Sequence, residues 1–309
     1  MRILVVGAGA IGGYFGGRLL EAGQDVTFLV RPRRAEQLAR TGLSIRSPKG
    51  DVDLPAPTVL AGDLRQPFDL VLLSCKAFDL ADAMQSFAPA VGPNTAILPL
   101  LNGMRHLELL QERFGERAVL GGWCAISATL DSDGRILHLA DAQSLPFGER
   151  DGSMTERIQA IAATFAGAKF ESCASGAILQ EMWEKWVFIA TAAGINCLMR
   201  STVGDIVAAG AADLAIALLE ECVSIAAQQG FPPSAAAMQR NRAMFTAAGS
   251  GFNASMLRDV ERGARTEVEH ILGDLLRRGD NQANVHAMLR IAYAHLTTYE
   301  ARRTRMQAA

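Results

Sequence analysis

The stretch that decides the fold is RILVVGAGAIGGYFGGRLLEAGQDVTFLV, residues 2–30. It opens with a short apolar, β-branched run, which is typical of a buried parallel strand. A glycine-rich turn follows, and then an amphipathic helix that ends near Gly23. The segment 24–30 has the character of a second strand. The stretch therefore predicts a βαβ unit, whose parallel strands belong to a sheet covered by helices.

The same alternation continues along the first half of the chain. Strand-like segments at 68–77, 95–103 and 118–130 alternate with helical segments at 79–91 and 106–115. Two further segments, 133–139 and 142–149, read as extended pieces on either side of a turn. The alternation predicts a Rossmann-type, doubly wound and mainly parallel sheet with helices on both faces, over residues 1–176.

The character of the sequence changes near residue 175. Long segments with a helical period and few turn residues follow, at 177–199, 213–230, 255–280 and 284–303. We therefore expect an α/β protein in which the Rossmann-type domain is followed by an all-helical domain over residues 177–309.

Composition excludes several classes of protein. The 309 residues carry a formal net charge of −2, so no bulk charge favours nucleic acid or an anionic membrane as a partner. No apolar run is long enough to span a bilayer, and because a strand is predicted from residue 2 we expect no signal peptide. The five cysteines form no C-x-x-C pair and the histidines lack metal-ligand spacing. We predict a cytoplasmic protein without a bound metal.

The glycine turn is a G-x-G-x-x-G motif between the first strand and its helix. Gly7 permits the tight turn, Gly9 lets the backbone approach a pyrophosphate, and Gly12 lets the helix pack on the strand. Together with Ala10 and Ile11, these residues present the first amides of the helix to phosphates. Because the motif lies in a βαβ unit of the right length, it predicts a dinucleotide site rather than a coincidental turn.

A basic cluster stands where many dinucleotide-binding chains carry an acid. After the second strand come Arg31, Arg33 and Arg34, with no acid before Glu36. An acid at this position would bind the ribose 2′-hydroxyl of NAD, whereas an arginine pairs with the 2′-phosphate of NADP. We therefore predict NADPH as the cofactor, with Arg31 at the 2′-phosphate. The alternative is an ordinary solvated basic turn.

Four further motifs, in this order, carry a family resemblance: SCKAFD with Lys76, LLNGM with Asn102, WEKW with Lys185, and NASMLRDVERGARTEVEHILG at 253–273. In them the chain resembles the ketopantoate reductase (2-dehydropantoate 2-reductase) family over nearly its whole length. The resemblance implies NADPH-dependent reduction of a 2-oxo acid in a cleft between the domains. The family reaction, 2-dehydropantoate to pantoate in pantothenate biosynthesis, is the first expectation.

The resemblance implies two catalytic residues. Lys185 matches the catalytic lysine of the family, and Glu267 matches its essential glutamate. An ammonium group beside a ketone oxygen can stabilise the charge that hydride delivery creates there, and can donate the proton. The alternatives are a snorkelling lysine between two tryptophans and a glutamate on a solvated helix face.

Four other positions match substrate or cofactor residues of the family. Asn102 matches an asparagine beside the nicotinamide, and Lys76 matches a lysine near both cofactor and substrate. Ser255 matches a substrate-binding serine, and Asp259 matches the aspartate of the same motif. The alternatives are a plain turn at Asn102 and a helix start at Ser255.

The chain departs from the family at two positions. Asparagines stand four and eight residues after the catalytic lysine in typical members, whereas this chain has Ile189 and Ala193. Asn196 lies roughly 16 Å beyond Lys185 along a helix axis, too far to share a small substrate with it. The pocket is therefore expected to favour a more apolar 2-oxo acid or ketone than the family substrate.

Three functional hypotheses follow. The first is reduction of ketopantoate, and the second is a family paralogue that reduces a different, more apolar 2-oxo acid, a lactone or a ketone. The third is a non-catalytic NADPH-binding sensor, which would not need Lys185 together with Glu267. The expected partner is the small-molecule substrate. The helical domain has apolar faces that a homodimer would use, although its own core explains them equally well.

Overall fold

The computed structural model describes residues 1–279 and 285–308. The chain divides into two compact units. The first unit comprises Met1–Leu101 with His106–Leu179, and the second comprises Asn102–Arg105 with Gln180–Ala309. The short Asn102–Arg105 segment thus groups with the helical unit, although the sequence pattern had assigned it to the sheet domain.

A parallel sheet forms the centre of the first unit. The strands of the chain are β1 (Arg2–Val6), β2 (Asp25–Leu29), β3 (Leu43–Arg46), β4 (Val52–Leu54), β5 (Thr58–Val59), β6 (Leu70–Leu73), β7 (Ala96–Pro99), β8 (Gly121–Gly122), β9 (Ala125–Leu130), β10 (Ile136–Gly148) and β11 (Glu171–Ala174). Within the described residues, five of them pair in the order β5-β2-β1-β6-β7, and every pairing is parallel. The strands β6 and β7 are buried throughout, as expected for a sheet that is covered on both faces. The predicted Rossmann-type fold is confirmed.

A second sheet was not anticipated from the sequence. In the described chain it has the order β11-β10-β3-β4, and β8 and β9 also pair with β10. The prediction of a turn between residues 139 and 142 was wrong, because β10 is one strand of 13 residues. Its pairing with β9 shifts register between His138 and Gln143. The four residues between them, 139–142, are exposed, as expected where a β-bulge interrupts a strand pairing.

The helices of the chain are α1 (Ala10–Glu21), α2 (Pro32–Thr41), α3 (Leu80–Phe87), α4 (Arg105–Phe114), α5 (Glu156–Phe165), α6 (Ile178–Met199), α7 (Val203–Ala208), α8 (Ala212–Gln228), α9 (Ala235–Phe245), α10 (Ser255–Glu261), α11 (Asp274–Arg278) and α12 (Ala287–Ala308). Six helices, α1, α3, α4, α6, α8 and α12, lie in predicted helical segments, whereas α2, α5, α7 and α9 were not predicted. Helix α1 contacts strands of both sheets. A Cβ atom added to Gly16 would lie 2.7 Å from the Phe28 ring, and one added to Gly17 would lie 2.7 Å from Leu43. The glycines of α1 therefore let it fit closely between the sheets.

The helical period over residues 255–280 is interrupted in the structure. Helix α10 ends at Glu261, and Gly263 has a φ of +67°, which an α-helix does not accommodate. The chain then enters a π-helical turn, Glu269–Gly273, before α11. The sequence pattern had predicted one continuous helical segment over residues 255–280. The break matters because it places Glu267 just before the π-helical turn, a form that is frequent at functional sites.

Candidate active site

The glycine turn at the end of β1 has the geometry of a phosphate cradle. Gly7 has a φ of +93°, a conformation that favours glycine, and its N–H donates to the Leu29 carbonyl at 2.9 Å. Gly9 is the N-cap of α1, and a Cβ atom built on it would have no atom of the described residues within 4 Å apart from those of its two chain neighbours. Ala10 and Ile11 are half-buried and open the helix. The turn thus leaves open space in front of the first amides of α1.

Gly12 has a different reason to be glycine. A Cβ atom at this position would collide with the Gly7 carbonyl oxygen and the Ser74 hydroxyl. The Ser74 hydroxyl, just after β6, donates to the Val6 carbonyl at 2.9 Å and reaches the Gly7 carbonyl at 3.3 Å. Ser74 therefore supports the turn from the neighbouring strand. Sequence reasoning missed this role, and its only signal was the position of Ser74 two residues before Lys76.

The basic cluster divides into two kinds of arginine. Arg31 is 75% exposed, and its Nη2 atom lies 3.0 Å from Oδ1 of Asp79. Arg34 is half-buried, and its Nε and Nη1 atoms donate to the carbonyls of Ala8 and Gly134, each at 3.1 Å. Burial lowers the pKa of Arg34 below the ordinary arginine value. Arg34 thus links the glycine turn to the β9–β10 connection by hydrogen bonds, whereas the charged group of Arg31 lies at the surface.

Lys76 lies at the same edge of the parallel sheet as the glycine turn. It lies three residues after the end of β6, the parallel neighbour of β1, and it is the N-cap of the 3₁₀ turn Ala77–Asp79. The N–H of Asp79 donates to the Lys76 carbonyl at 2.9 Å. Because the carboxyl ends of parallel strands share one edge, Lys76 and the turn belong to one crevice of the first unit.

In the second unit, the Asn102–Gly103 segment packs against the chain that carries Glu267. Gly103 has a φ of +80°, and a Cβ atom on it would lie 2.9 Å from the carbonyl oxygen of His270. Burial lowers the pKa of His270, although the Glu267 carboxylate and a hydrogen bond to the Asn102 main chain act in the opposite direction. The structure therefore brings Asn102 and Glu267 around one buried histidine, a residue to which the sequence analysis assigned no chemistry.

The helix that carries Lys185 is tied to the segment of Glu267. Lys185 is half-buried on α6, and the adjacent Trp186 is buried and donates its indole N–H to the Ile271 carbonyl at 2.9 Å. The N–H of Ile271 in turn donates to the Glu267 carbonyl at 3.0 Å. Two hydrogen bonds thus link α6, at the residue next to Lys185, to the segment that carries Glu267. Sequence reasoning had treated Trp186 only as an apolar neighbour of Lys185.

The remaining predicted residues lie at the start of α10. Ser255 is exposed and begins the helix, and Asp259 is half-buried one turn later. Asn196 is fully buried, and it accepts from the Ala254 N–H at 3.1 Å and donates to the Ser201 carbonyl at 2.8 Å. Both ends of this amide are used by the main chain. Asn196 therefore positions the residue before Ser255, and it does not replace the family asparagines at the positions of Ile189 and Ala193.

Thr266, the residue before Glu267, is hydrogen-bonded to Glu300 of α12. Its N–H and hydroxyl both donate to Oε1 of Glu300, at 2.6 and 2.8 Å, and Arg303 donates to Oε2 at 3.0 Å. Burial alone would raise the pKa of Glu300, but these hydrogen bonds outweigh burial and lower the pKa below its ordinary value. Glu300 thus fixes the chain next to Glu267, and no sequence motif marked it.

We expect Glu300→Gln to reduce the free energy of unfolding by about 1.5–3 kcal/mol at neutral pH, the range for hydrogen bonds to a charged group. A carboxylate with a lowered pKa contributes stability above its unfolded pKa, and this stability is lost as the pH falls through the folded pKa. The difference between parent and variant should therefore shrink on acidification below about pH 4. Urea unfolding followed by circular dichroism at neutral and acid pH measures it.

Glu261→Gln is the matched control, because Glu261 forms an exposed ion pair with Arg200 in the same unit. Such pairs contribute at most about 1 kcal/mol. Equal losses in the two variants at neutral pH would contradict the anchoring role of Glu300.

The described residues, 1–279 and 285–308, contain no group of three or more His, Cys, Asp or Glu side chains arranged to hold a metal ion. None of the helices in this part of the chain is long and apolar enough to cross a membrane.

Comparison with known proteins identifies the family. The family model "Ketopantoate reductase PanE/ApbA" matches residues 3–152, and its C-terminal counterpart matches residues 177–300. The chain is 40% identical to "Uncharacterized oxidoreductase YkpB" of Bacillus subtilis, over 97% of this chain and 99% of that protein. It is 29% identical to the 2-dehydropantoate 2-reductase of Archaeoglobus fulgidus, over 90% and 91% of the two chains. A crystal structure of 2-dehydropantoate 2-reductase from Geobacter metallireducens aligns with a TM-score of 0.87 at 29% identity, over 96% and 99% of the chains. The chain therefore belongs to the ketopantoate reductase family, whose members are oxidoreductases acting on CH–OH groups.

Proposed function

We propose that the protein reduces the carbonyl group of a 2-oxo acid to a hydroxyl group with NADPH. The observation that carries this proposal is the half-buried Lys185, whose helix is hydrogen-bonded to the segment of Glu267 through Trp186. A sensor that only bound the dinucleotide would not require this arrangement.

The geometry of the first unit fits a dinucleotide cofactor. The open space at Gly9 and the first turn of α1, which has no side-chain cap, suit a pyrophosphate. The exposed Arg31 suits a 2′-phosphate. When bound, the cofactor supplies a hydride to the carbonyl carbon. The residues of this chain that would hold it are Gly7, Gly9, Ala10, Ile11, Gly12 and Arg31, with Lys76 and Asn102 near its reactive end.

The chemistry of the chain's own residues is acid catalysis and charge stabilisation. Lys185 would donate a proton to the carbonyl oxygen of the substrate, and its ammonium group would stabilise the negative charge that develops there. Glu267 would orient this ammonium group or accept a hydroxyl of the substrate. Lys76 would attract the substrate carboxylate, and Ser255 and Asp259 would bind polar groups of the substrate.

The family reaction, ketopantoate to pantoate, is the first candidate for the substrate. A second candidate is a 2-oxo acid with an apolar side chain, because two positions that follow Lys185 on α6 are aliphatic. Ile189 is half-buried and Ala193 is 2% exposed. A pocket that lacks hydrogen-bonding groups discriminates less against apolar substrates, and it binds polar substrates with fewer hydrogen bonds.

The deciding experiment follows NADPH oxidation by absorbance. Ketopantoate is compared with pyruvate, 2-oxoisovalerate and phenylglyoxylate, and each reaction is repeated with NADH. Faster turnover of ketopantoate than of the other acids would support the family reaction. Faster turnover of an apolar acid would support the second candidate, and no turnover of any 2-oxo acid would contradict the proposal.

For an enzyme whose pocket has diverged, we expect Ile189→Asn, alone and with Ala193→Asn, to raise kcat/KM for ketopantoate by about tenfold or more, as one recovered hydrogen bond allows. The single variant is the primary test, because Asn at the buried Ala193 adds volume to a packed site. Steady-state kinetics with ketopantoate measures the change.

Leu198→Asn provides the control for this substitution. Leu198 is also a half-buried aliphatic residue of α6, and nine residues of helix place it about half a turn away from Ile189. An equal gain in both variants, or no gain at Ile189, would exclude a diverged pocket at this position.

A further inference from the structure

Asp79 forms an ion pair across the predicted nucleotide crevice. Arg31 follows β2, and Asp79 lies in the 3₁₀ turn that follows β6. The two strands flank β1, whose end carries the glycine turn. The 3.0 Å contact between Arg31 and Asp79 therefore joins the two sides of the crevice in which the adenosine of a dinucleotide binds.

We infer that Asp79 is a cofactor-selectivity residue, which competes with the 2′-phosphate of NADPH for Arg31 and thereby narrows the preference for NADPH over NADH. This inference rests on the proposed function, since it takes Arg31 as the 2′-phosphate residue. No acid follows β2 in the sequence, but the fold brings Asp79 from the 3₁₀ turn after β6 to Arg31. Sequence reasoning did not identify this acidic group.

The two partners differ in their freedom to move. Arg31 is 75% exposed on a long side chain, whereas Asp79 is 35% exposed and its N–H is hydrogen-bonded to the Lys76 carbonyl within the 3₁₀ turn. When a phosphate binds Arg31, the guanidinium group can reorient while the Asp79 carboxylate stays near the phosphate. The Asp79 carboxylate then repels the bound phosphate. Lys76, the N-cap of the same turn, carries the positive charge that partly compensates for this repulsion.

Of the other two arginines of the cluster, Arg34 does not take over this role. Arg34 is engaged by the carbonyls of Ala8 and Gly134, and Arg33 is exposed within the first turn of α2. NADH carries no 2′-phosphate, so its binding does not require the Arg31–Asp79 pair to open. The effect of Asp79 should therefore fall on NADPH alone.

The test is Asp79→Asn, with Asp82→Asn as the matched control. Asp82 is an exposed acid in the first turn of α3, so its substitution changes the net charge equally. Isothermal titration measures the binding of NADPH, NADH, adenosine 2′,5′-bisphosphate and adenosine 5′-phosphate at low and high salt. We expect Asp79→Asn to tighten binding of the two 2′-phosphorylated ligands about two- to fivefold, and less at high salt, as for an exposed charge interaction.

Three results would overturn the inference. They are equal affinities in Asp79→Asn and Asp82→Asn, an equal change for NADPH and NADH, and weaker NADPH binding in Asp79→Asn. Arg31→Ala separates this inference from the proposed function. If Arg31→Ala weakens NADPH but Asp79→Asn has no effect, only the selectivity role of Asp79 fails. If Arg31→Ala leaves NADPH affinity unchanged, the assignment of Arg31 and the inference fail together.

Discussion

Lys185→Met should lower kcat with the best 2-oxo acid by about 10²–10⁴-fold, the range for a positioned proton donor. Its dissociation constant for NADPH should stay within about twofold of the parent value, because a group that acts on the transition state contributes little to cofactor binding. Methionine keeps an unbranched side chain of similar length on α6. The packing of the buried Trp186 beside it, and its hydrogen bond to Ile271, are therefore preserved.

Lys169→Met is the control for Lys185→Met. Lys169 is an exposed lysine, and its Nζ atom lies 2.5 Å from Oε1 of Glu21 in the first unit. We expect this variant to keep the turnover of the parent, since surface ion pairs contribute little to stability. Stopped-flow binding and steady-state rates measure both variants.

Parent-like turnover in Lys185→Met would remove the catalytic assignment. Lys185 would then be a snorkelling lysine beside two buried tryptophans, and the NADPH-binding sensor would become the better hypothesis. A parallel loss of NADPH affinity and turnover would instead indicate damage to the fold. Circular dichroism and thermal unfolding separate this outcome from a catalytic one.

The sequence predicted the parts of the fold that depend on local patterns. The βαβ unit, the glycine turn and the helical segments follow from hydrophobic period and glycine spacing, which are properties of neighbouring residues. The second sheet did not follow, because β8 has only two residues and pairs with β10, far along the chain. The break at Gly263 was missed because the helical period continues across it.

The candidate site shows the same division. Motifs named Lys185 and Glu267, but not the residues that hold them in place. Trp186 bonds a residue 85 positions away, and Glu300 bonds Thr266 across 34 positions. Ser74 supports the glycine turn from 68 positions away. Such contacts are created by the tertiary fold, and a side chain that bonds a distant main-chain group leaves no spacing pattern in the sequence.

Gly9→Val should weaken NADPH binding by about a hundredfold or more, which corresponds to losing two charge-assisted hydrogen bonds at roughly 1.5–3 kcal/mol each. The backbone of Gly9 has a φ of −80° and a ψ of −164°, an extended conformation that valine adopts readily. Apart from its two chain neighbours, an added Cβ atom also meets no atom of the described residues within 4 Å. The protein should therefore fold normally, while the valine side chain fills the space that a pyrophosphate requires.

Gly12→Ala gives the opposite pattern and serves as the counterpart of Gly9→Val. Its methyl group would collide with the Gly7 carbonyl oxygen and the Ser74 hydroxyl, so we expect a loss of about 1–3 kcal/mol in the free energy of unfolding. Thermal unfolding and NADPH titration on both variants distinguish a glycine that leaves room for the ligand from a glycine that the fold itself requires. Normal NADPH binding in Gly9→Val would mean that the turn does not hold the pyrophosphate. Because the turn and Arg31 together carry the cofactor assignment, that result would require a different dinucleotide site or none.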